Sequence, residues 1–581
     1  MTGAAAPAMI CDVLVAGSGA AGLATAVAAR ALGLDVVVVE SAEVIGGTTA
    51  WSGGELWVPA NRWQHEAGHA DSAADAFRYL AVASGGAAPA EVIRAYVEEA
   101  APAIEWLVDL GAMAVEPMFD APDYEMHLPG SCAGGRTLRT QPFDGRKLGP
   151  DFRRLRTPLA AGVILGGLSI AREDLVHLRS MSRSLRSALR VGRLVAAHAL
   201  HRASGLHRGA RTTMGNAMIA RFLAWLRLQS VQILTGARLV RLLKEGERVT
   251  GAMAETRSGP VTIHARRAVV LATGGFSHDP DQQRARYPHV AKGHRQLPLP
   301  PREVCGDGLR LACEAGGALR DKATEPAAWT AVSVMPGGAG PMLVPHFGDR
   351  AKPGIIAVLA DGRRFANEAA DYHVFCRALI DACADHPRTE AWLITDHAAL
   401  RRHGLGRVGP APARLGPALR RGYLIRGQSP EDLARKAGID PEGLAVTLKN
   451  WNRMAAKGHD AEFGKGDSAF DRSSGDPDHK PNPCVAPITR APLYAIRIEA
   501  GNLSTFVGLD TDASGRVRDR SGQPIPGLYA IGADAESVAG GSYPAAGITL
   551  GPAVTFGVLA ARDIAASGSG AQVQQEHRNS A

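Results

Sequence analysis

Paired cysteines, long apolar runs and aromatic residues are all scarce in this chain. Seven cysteines (11, 132, 305, 313, 376, 383 and 484) are scattered over 581 residues, with no CxxC pair and no metal-like spacing against histidine. That pattern argues against a metal site and reads as buried, reduced thiols in a cytosolic protein. No apolar run reaches the ~18 residues that a membrane-spanning helix needs. Met1–Met9 is apolar but short, lacks a basic stretch, and is not read as a secretory signal. Acids are nearly missing from one region: Phe152–Leu228 holds 14 arginines and no lysine against only Glu173 and Asp174. Because the whole chain carries a formal charge of +8, the rest of it is slightly acidic. The basic pI therefore reports one segment and does not imply a nucleic-acid partner. The length exceeds one ordinary domain, and the abundance of glycine and alanine suits α/β packing with many tight turns.

The N-terminal region reads as strand, glycine turn, helix, strand. Cys11–Ala16 is apolar, Gly17-Ser-Gly19-Ala-Ala-Gly22 follows, Leu23–Leu32 is helix-prone, and Asp35–Val39 closes on Glu40. In this dinucleotide fingerprint Gly17 permits the turn, Gly19 admits a pyrophosphate to the backbone, and Gly22 lets the helix lie close on the strand. The helix N-terminus offers N–H groups to the phosphates, and Glu40 is placed to accept from a ribose diol. A second small-residue loop, Gly46-Gly-Thr-Thr-Ala-Trp-Ser-Gly-Gly54, comes almost at once. Further on lie Ala268-Val-Val-Leu-Ala-Thr-Gly-Gly275 and Gly527-Leu-Tyr-Ala-Ile-Gly-Ala-Asp534.

In that order the four motifs resemble the glutathione-reductase-type FAD fold of the fumarate reductase superfamily. The fold expected is α/β, a Rossmann-like FAD-binding domain with an inserted α+β cap. The resemblance implies FAD contacts from Gly17, Gly19, Ala20, Ala21 and Gly22, and from Glu40 and Ser41. It adds Gly46, Gly47, Thr48, Thr49, Ser52, Gly53 and Gly54, then Ala272, Thr273, Gly274 and Asp307. From the far end come Gly532, Asp534, Gly547, Thr549 and Leu550. The second loop lacks the histidine that often links the flavin covalently in this superfamily, so non-covalent FAD is expected.

Fumarate reductases need cationic clamps for a dicarboxylate. The corresponding stretch here is Gly540-Gly-Ser-Tyr-Pro-Ala-Ala-Gly-Ile-Thr-Leu-Gly-Pro552, whose Tyr-Pro-x-x-Gly core resembles the 3-ketosteroid Δ1-dehydrogenases. Asp361-Gly-Arg-Arg-Phe-Ala-Asn-Glu-Ala-Ala-Asp-Tyr372 and Pro122-Asp-Tyr-Glu-Met-His-Leu-Pro-Gly130 are similar to two further segments of that family. The resemblance implies that Tyr543 and Gly547 polarise the C3 carbonyl, that Tyr372 is the base at C2, and that Tyr124 assists it. Removing an α-proton requires a stabilised enolate oxygen, and a phenol with a pKa of ~10 is a base only with help. The C1 hydride would pass to flavin N5, and reduced flavin to a quinone-like acceptor. Rival readings are a Δ4-dehydrogenase of 5α-3-ketosteroids, a desaturase of another cyclic ketone, a fumarate-reductase-like enzyme, and a flavin electron carrier without a substrate of its own.

The domain boundaries expected are 1–332 and 505–581 for the FAD domain and 333–504 for the cap, with a frayed tail from Ser567. Residues 155–230 look like an insertion. From Leu175 the sequence turns helical, with Leu178, Leu185 and Leu189 on one face and Arg179, Arg183, Arg186, Arg190 and Arg193 beside it. A basic amphipathic helix of this kind suits the interface of an anionic membrane. The same pattern also suits a helix docked on its own core or an oligomer contact. The expected location is cytoplasmic, peripheral on the inner face of the membrane if the first option holds.

Overall fold

The computed structural model describes the backbone of residues 8–579 except 172, 175–176, 179–180, 182–183, 338–339 and 413. The N-terminal apolar run forms β1 (Ala8–Ala16), parallel to β2 (Val36–Glu40) on one side and to Gly259–Leu271 on the other. Every residue of β2 is buried, as expected for a parallel strand covered on both faces. α1 (Ala20–Ala31) makes the crossover between them. The C-terminal helix, Leu550–Asn579, lies so close to α1 that a Cβ on Gly557 would come within 2.9 Å of the Ala21 carbonyl oxygen.

Eight strands make the first sheet, in the order Gln232–Thr235, β2, β1, Gly259–Leu271, Arg248–Thr256, Arg238–Glu245. Pro524–Ala530 also joins it, parallel to Gly259–Leu271, with Arg516–Arg518 alongside. One sheet is thus assembled from both ends of the chain. A second, seven-stranded sheet centres on Leu493–Thr505, paired antiparallel with Ala327–Met335 and Glu390–Asp396. The helix Tyr372–Ala382 packs on it through Phe375 and Leu379. The architecture is the α/β type expected, with a mixed second layer.

Within 155–230, Val163–Ile164 and Leu168–Ser169 form a hairpin, and Leu185–Ala203 forms a helix. Leu175, Arg179 and Arg183 lie outside the described residues, and the described helix begins at Leu185. Ser187 and His198 face inward, while Leu185 (78 % exposed), Leu189 (55 %) and Leu200 (70 %) share the opposite, outward face. The helix is fastened by the fully buried Asp174, whose carboxylate takes Arg211 at 2.6 Å and Arg190 at 3.1 Å. The last helix runs from Leu550 to Asn579. Among the described residues no helix is long and apolar enough to cross a membrane, and no cluster of histidine, cysteine or acids has the makings of a metal site.

Candidate active site

The nucleotide end is built by close backbone contact. Gly17 has φ +106°, and a Cβ there would meet the Ala272 carbonyl oxygen at 2.1 Å, so the first turn and the Ala272–Gly275 turn touch directly. Thr49 Oγ1 accepts the Ala20 N–H at 3.0 Å, joining the second loop to the first. The N–H groups of Ala21 and Gly22 have no protein acceptor among the described residues, and the space over Gly19 is open except for Thr49 at 3.6 Å. A helix N-terminus with free donors and no side chain in the way fits a pyrophosphate.

Glu40 is buried and already engaged, accepting from Ser18 N at 3.0 Å, Ser18 Oγ and Ala42 N at 2.8 Å. Its first task here is to brace the glycine turn, because Ser18 Oγ in turn accepts from Gly46 N at 2.9 Å. Asp534 is fully buried and accepts from Thr273 N at 2.6 Å and Gly275 N at 2.9 Å. Burial raises its carboxyl against the pull of those bonds. Asp307 opens a short helix and is held by Arg238 at 2.8 Å, and the next N–H, that of Gly308, donates to Thr273 Oγ1. The residues expected at the nucleotide thus lie on adjoining turns, with Ser41 flanking Glu40 and Gly532 against Ala21.

The second loop runs into the strand Glu55–Trp57, which carries the Tyr543 turn. Gly547 has φ +90°, its carbonyl accepts Trp57 N–H at 3.2 Å, and a Cβ on it would lie 2.5 Å from the Leu56 carbonyl carbon. Only glycine fits there, and among the described residues no protein group accepts its N–H. Thr549 and Leu550 follow at the start of the C-terminal helix.

Three tyrosines far apart in sequence meet beside this turn. The ring centroids of Tyr372 and Tyr543 are 5.0 Å apart, and those of Tyr124 lie 6.2 Å from each. Tyr372 is the first residue of its helix; Asp371 caps it by accepting from His373 N at 2.9 Å and Val374 N at 3.0 Å. Burial lifts all three phenols above their ordinary range, and Tyr124 and Tyr543 lift Tyr372 further. The helix N-terminus works the other way, favouring negative charge at Tyr372.

Several neighbours gave no signal in the sequence. Phe470 packs on Tyr124 at 4.3 Å and Phe347 on Tyr372 at 5.1 Å, while Phe506 lies 6.3 Å from Tyr543. His373 accepts the Trp329 N–H on Nδ1 at 3.1 Å, and burial followed by Arg377 brings it down to about 3, so it is neutral. Burial, reinforced by Glu125, pushes the Asp371 carboxyl up to about 7 despite its two backbone bonds and Arg350. These side chains carry no motif of their own; only their position next to Tyr372 or opposite it in space reveals them.

The FAD binding domain profile matches residues 12–550. The chain is 34% identical to a 4-oxocyclohex-2-ene-1-carboxylate 5-dehydrogenase of Sinomonas cyclohexanicum, covering 96% of this chain and 94% of that one. It is 33% identical to a 3-oxosteroid 1-dehydrogenase of Mycolicibacterium smegmatis, covering 96% and 97%. Among solved structures it superposes on the 3-ketosteroid Δ1-dehydrogenase of Sterolibacterium denitrificans in complex with 1,4-androstadiene-3,17-dione. The TM-score is 0.89 at 35% identity, over 96% of this chain and 100% of that one. With the fingerprint, the Gly547 turn and the tyrosine cluster in place, the chain belongs to the 3-ketosteroid Δ1-dehydrogenase family of FAD-binding oxidoreductases.

Proposed function

We propose that this chain desaturates 3-ketosteroids between C1 and C2. The observation that carries the reading is the meeting of Tyr124, Tyr372 and Tyr543 at the Gly547 turn. Bound FAD supplies the acceptor for the hydride that leaves C1. Tyr543 O–H and Gly547 N–H hold the C3 oxygen and stabilise the negative charge that builds on it. Tyr372 takes the C2 proton, and Tyr124, whose ring stands edge-on to it with centroids 6.2 Å apart, relays that proton onward. Phe347, Phe470 and Phe506 offer an apolar wall to the ring system and exclude water.

A second reading comes from the Sinomonas relative: a monocyclic oxo-carboxylate in place of a steroid. That substrate calls for a free cation over its carboxylate. Arg350, lying between the Phe347 and Tyr372 segments, instead gives its guanidinium to the carbonyls of His346, Phe347, Glu368 and Ala370. The aromatic wall and this engaged arginine favour the steroid.

The reduced cofactor is proposed to pass its electrons to a quinone-like acceptor. The outward leucine face of Leu185–Ala203, with Arg186 and Arg193 exposed beside it, is proposed to rest on an anionic membrane surface from which apolar sterones are drawn. This would place the protein on the inner face of the cytoplasmic membrane.

Anaerobic mixing with androst-4-ene-3,17-dione, cholest-4-en-3-one and 4-oxocyclohexanecarboxylate tests the activity. The sterones should bleach the flavin, and NMR should place the new double bond at C1–C2. Tyr372→Phe and Tyr543→Phe should each slow bleaching by at least ~100-fold while retaining FAD. Normal turnover by both variants would falsify the assignment.

A further inference from the structure

The helix Ala73–Ala83 contains none of the family's motifs, yet one of its side chains touches both tyrosine-bearing loops. Tyr79 is fully buried. Its hydroxyl donates to the Pro544 carbonyl at 2.7 Å and accepts from the Glu125 N–H at 3.2 Å. The same Pro544 carbonyl accepts the Tyr124 N–H at 2.8 Å. Tyr124 and Glu125 belong to one loop; Pro544 is the residue after Tyr543. One phenol therefore closes a ring of hydrogen bonds between the loop of Tyr124 and the turn of Tyr543.

The surroundings hold that phenol still. Its ring lies 6.2 Å from Trp57, and the Arg136 guanidinium sits 6.0 Å from its centroid. Arg136 is itself pinned between Asp71 at 2.6 Å and Asp123 at 2.8 Å, both pairs buried. Asp123 also accepts from Trp57 Nε1 at 2.7 Å, and Trp57 N–H holds the Gly547 carbonyl. Gly130, at the far end of the Tyr124 loop, packs onto the same helix so closely that a Cβ would come within 2.1 Å of the Asp75 carbonyl oxygen. Beside the direct bond from Tyr124 N–H to the Pro544 carbonyl, Tyr79 and its neighbours thus supply a second tie between the Tyr124 loop and the Tyr543–Gly547 turn.

We propose that Tyr79 is a positioning residue that sets the separation between the proton-accepting pair and the carbonyl-polarising turn. It does not face the substrate: its hydroxyl is consumed by main chain on both sides. This role rests on the dehydrogenase reading above. The α-proton comes off only while the carbonyl is held, so an error in that separation slows proton transfer before it slows anything else. Displacements of about 1 Å at such distances cost up to ~100-fold in rate.

Tyr79→Phe is the decisive variant, since it keeps the ring between Trp57 and Arg136 and removes only the hydroxyl. Two measurements are made on the FAD-loaded protein beside wild type. Amide exchange over residues 123–128 should quicken several-fold, because Glu125 N–H loses its acceptor. The maximal rate of flavin reduction by androst-4-ene-3,17-dione should fall roughly 10-fold or more, with the isotope effect from deuterium at C2 rising and that from C1 not. A general loss of structure would lower the rate without separating the two isotope effects. Unchanged exchange at 123–128 overturns the tie, and an unchanged rate or unchanged isotope ratio overturns its role. If the wild-type flavin is not reduced by any sterone, the functional reading fails first and this role with it, whereas the exchange result still separates the two failures.

Discussion

Asp371 shows how one residue can serve two ends. As an N-cap it satisfies two backbone N–H groups, and asparagine would do so almost as well. As a buried acid beside Glu125 and Arg350, with burial the main cause, it is held up to about 7. An acid whose pKa is higher in the folded chain favours folding while it is protonated. That contribution is complete below its unfolded value of about 4 and is lost as pH rises through 7. Its charge also raises Tyr124 and Tyr543. Asp371→Asn should therefore flatten the fall in melting temperature between about pH 4 and 7, and should remove an inflection near pH 7 from the kcat/KM profile. Superimposable profiles for the two proteins would contradict this. The residue illustrates what the sequence could show: the motif ending at Tyr372 was legible, and so was the chemistry of a phenol. The acid preceding it reads as an ordinary cap until burial is known. Tyr79 was less legible still, because a tyrosine on the inward face of an amphipathic helix looks like core, and its two partners lie 46 and 465 residues away.

At the scale of elements, the glycine-bearing turns were the most readable parts, because their cause is local. Gly17 and Gly547 adopt conformations that other residues avoid, and the apolar strands that feed the turns need only their own composition to be recognised. The helix Leu185–Ala203 was readable in its pattern and ambiguous in its direction. Leucines at three- to four-residue spacing ordinarily face a core, and here they face outward while Ser187 and His198 face in. The inward face is tied down by polar contacts between segments, Arg190 to Asp174, Ser187 to His177 and His198 to the Leu165 carbonyl, which periodicity cannot see. If the outward face meets an anionic membrane, each exposed arginine contributes about 1 kcal/mol. Arg186→Glu with Arg193→Glu should then lower partitioning into phosphatidylglycerol vesicles by roughly 30-fold or more, leaving flavin reduction by a soluble sterone intact. Equal sedimentation of variant and wild type would rule the surface out. Both substitutions spare Arg190, so the helix keeps its anchor.

Across the whole molecule, the cofactor site is a joint between regions far apart in the chain: the first turn, the Ala272–Gly275 turn and the Gly532–Asp534 segment converge. The order of motifs made the FAD fold legible, while the approach of Tyr124, Tyr372 and Tyr543 could be inferred only through resemblance. No local rule brings together positions so widely separated. With no histidine in the second loop, acid unfolding should release the flavin quantitatively into the supernatant. Melting temperature should also rise with added FAD, by the equivalent of ~4 kcal/mol at a thousand times its dissociation constant. Flavin retained in the acid precipitate would show a covalent bond.

The bond from Thr273 N–H to Asp534 spans 261 residues. On the ribosome, the Thr273–Gly275 turn emerges long before the carboxylate that closes it, and the second sheet is synthesised in the interval. The early half must wait as an open Rossmann layer with an unfilled edge beside Gly259–Leu271. Closure of the turn then waits for the Gly532–Asp534 segment, and a chain that stops before Asp534 lacks the carboxylate that ties Thr273 and Gly275 together.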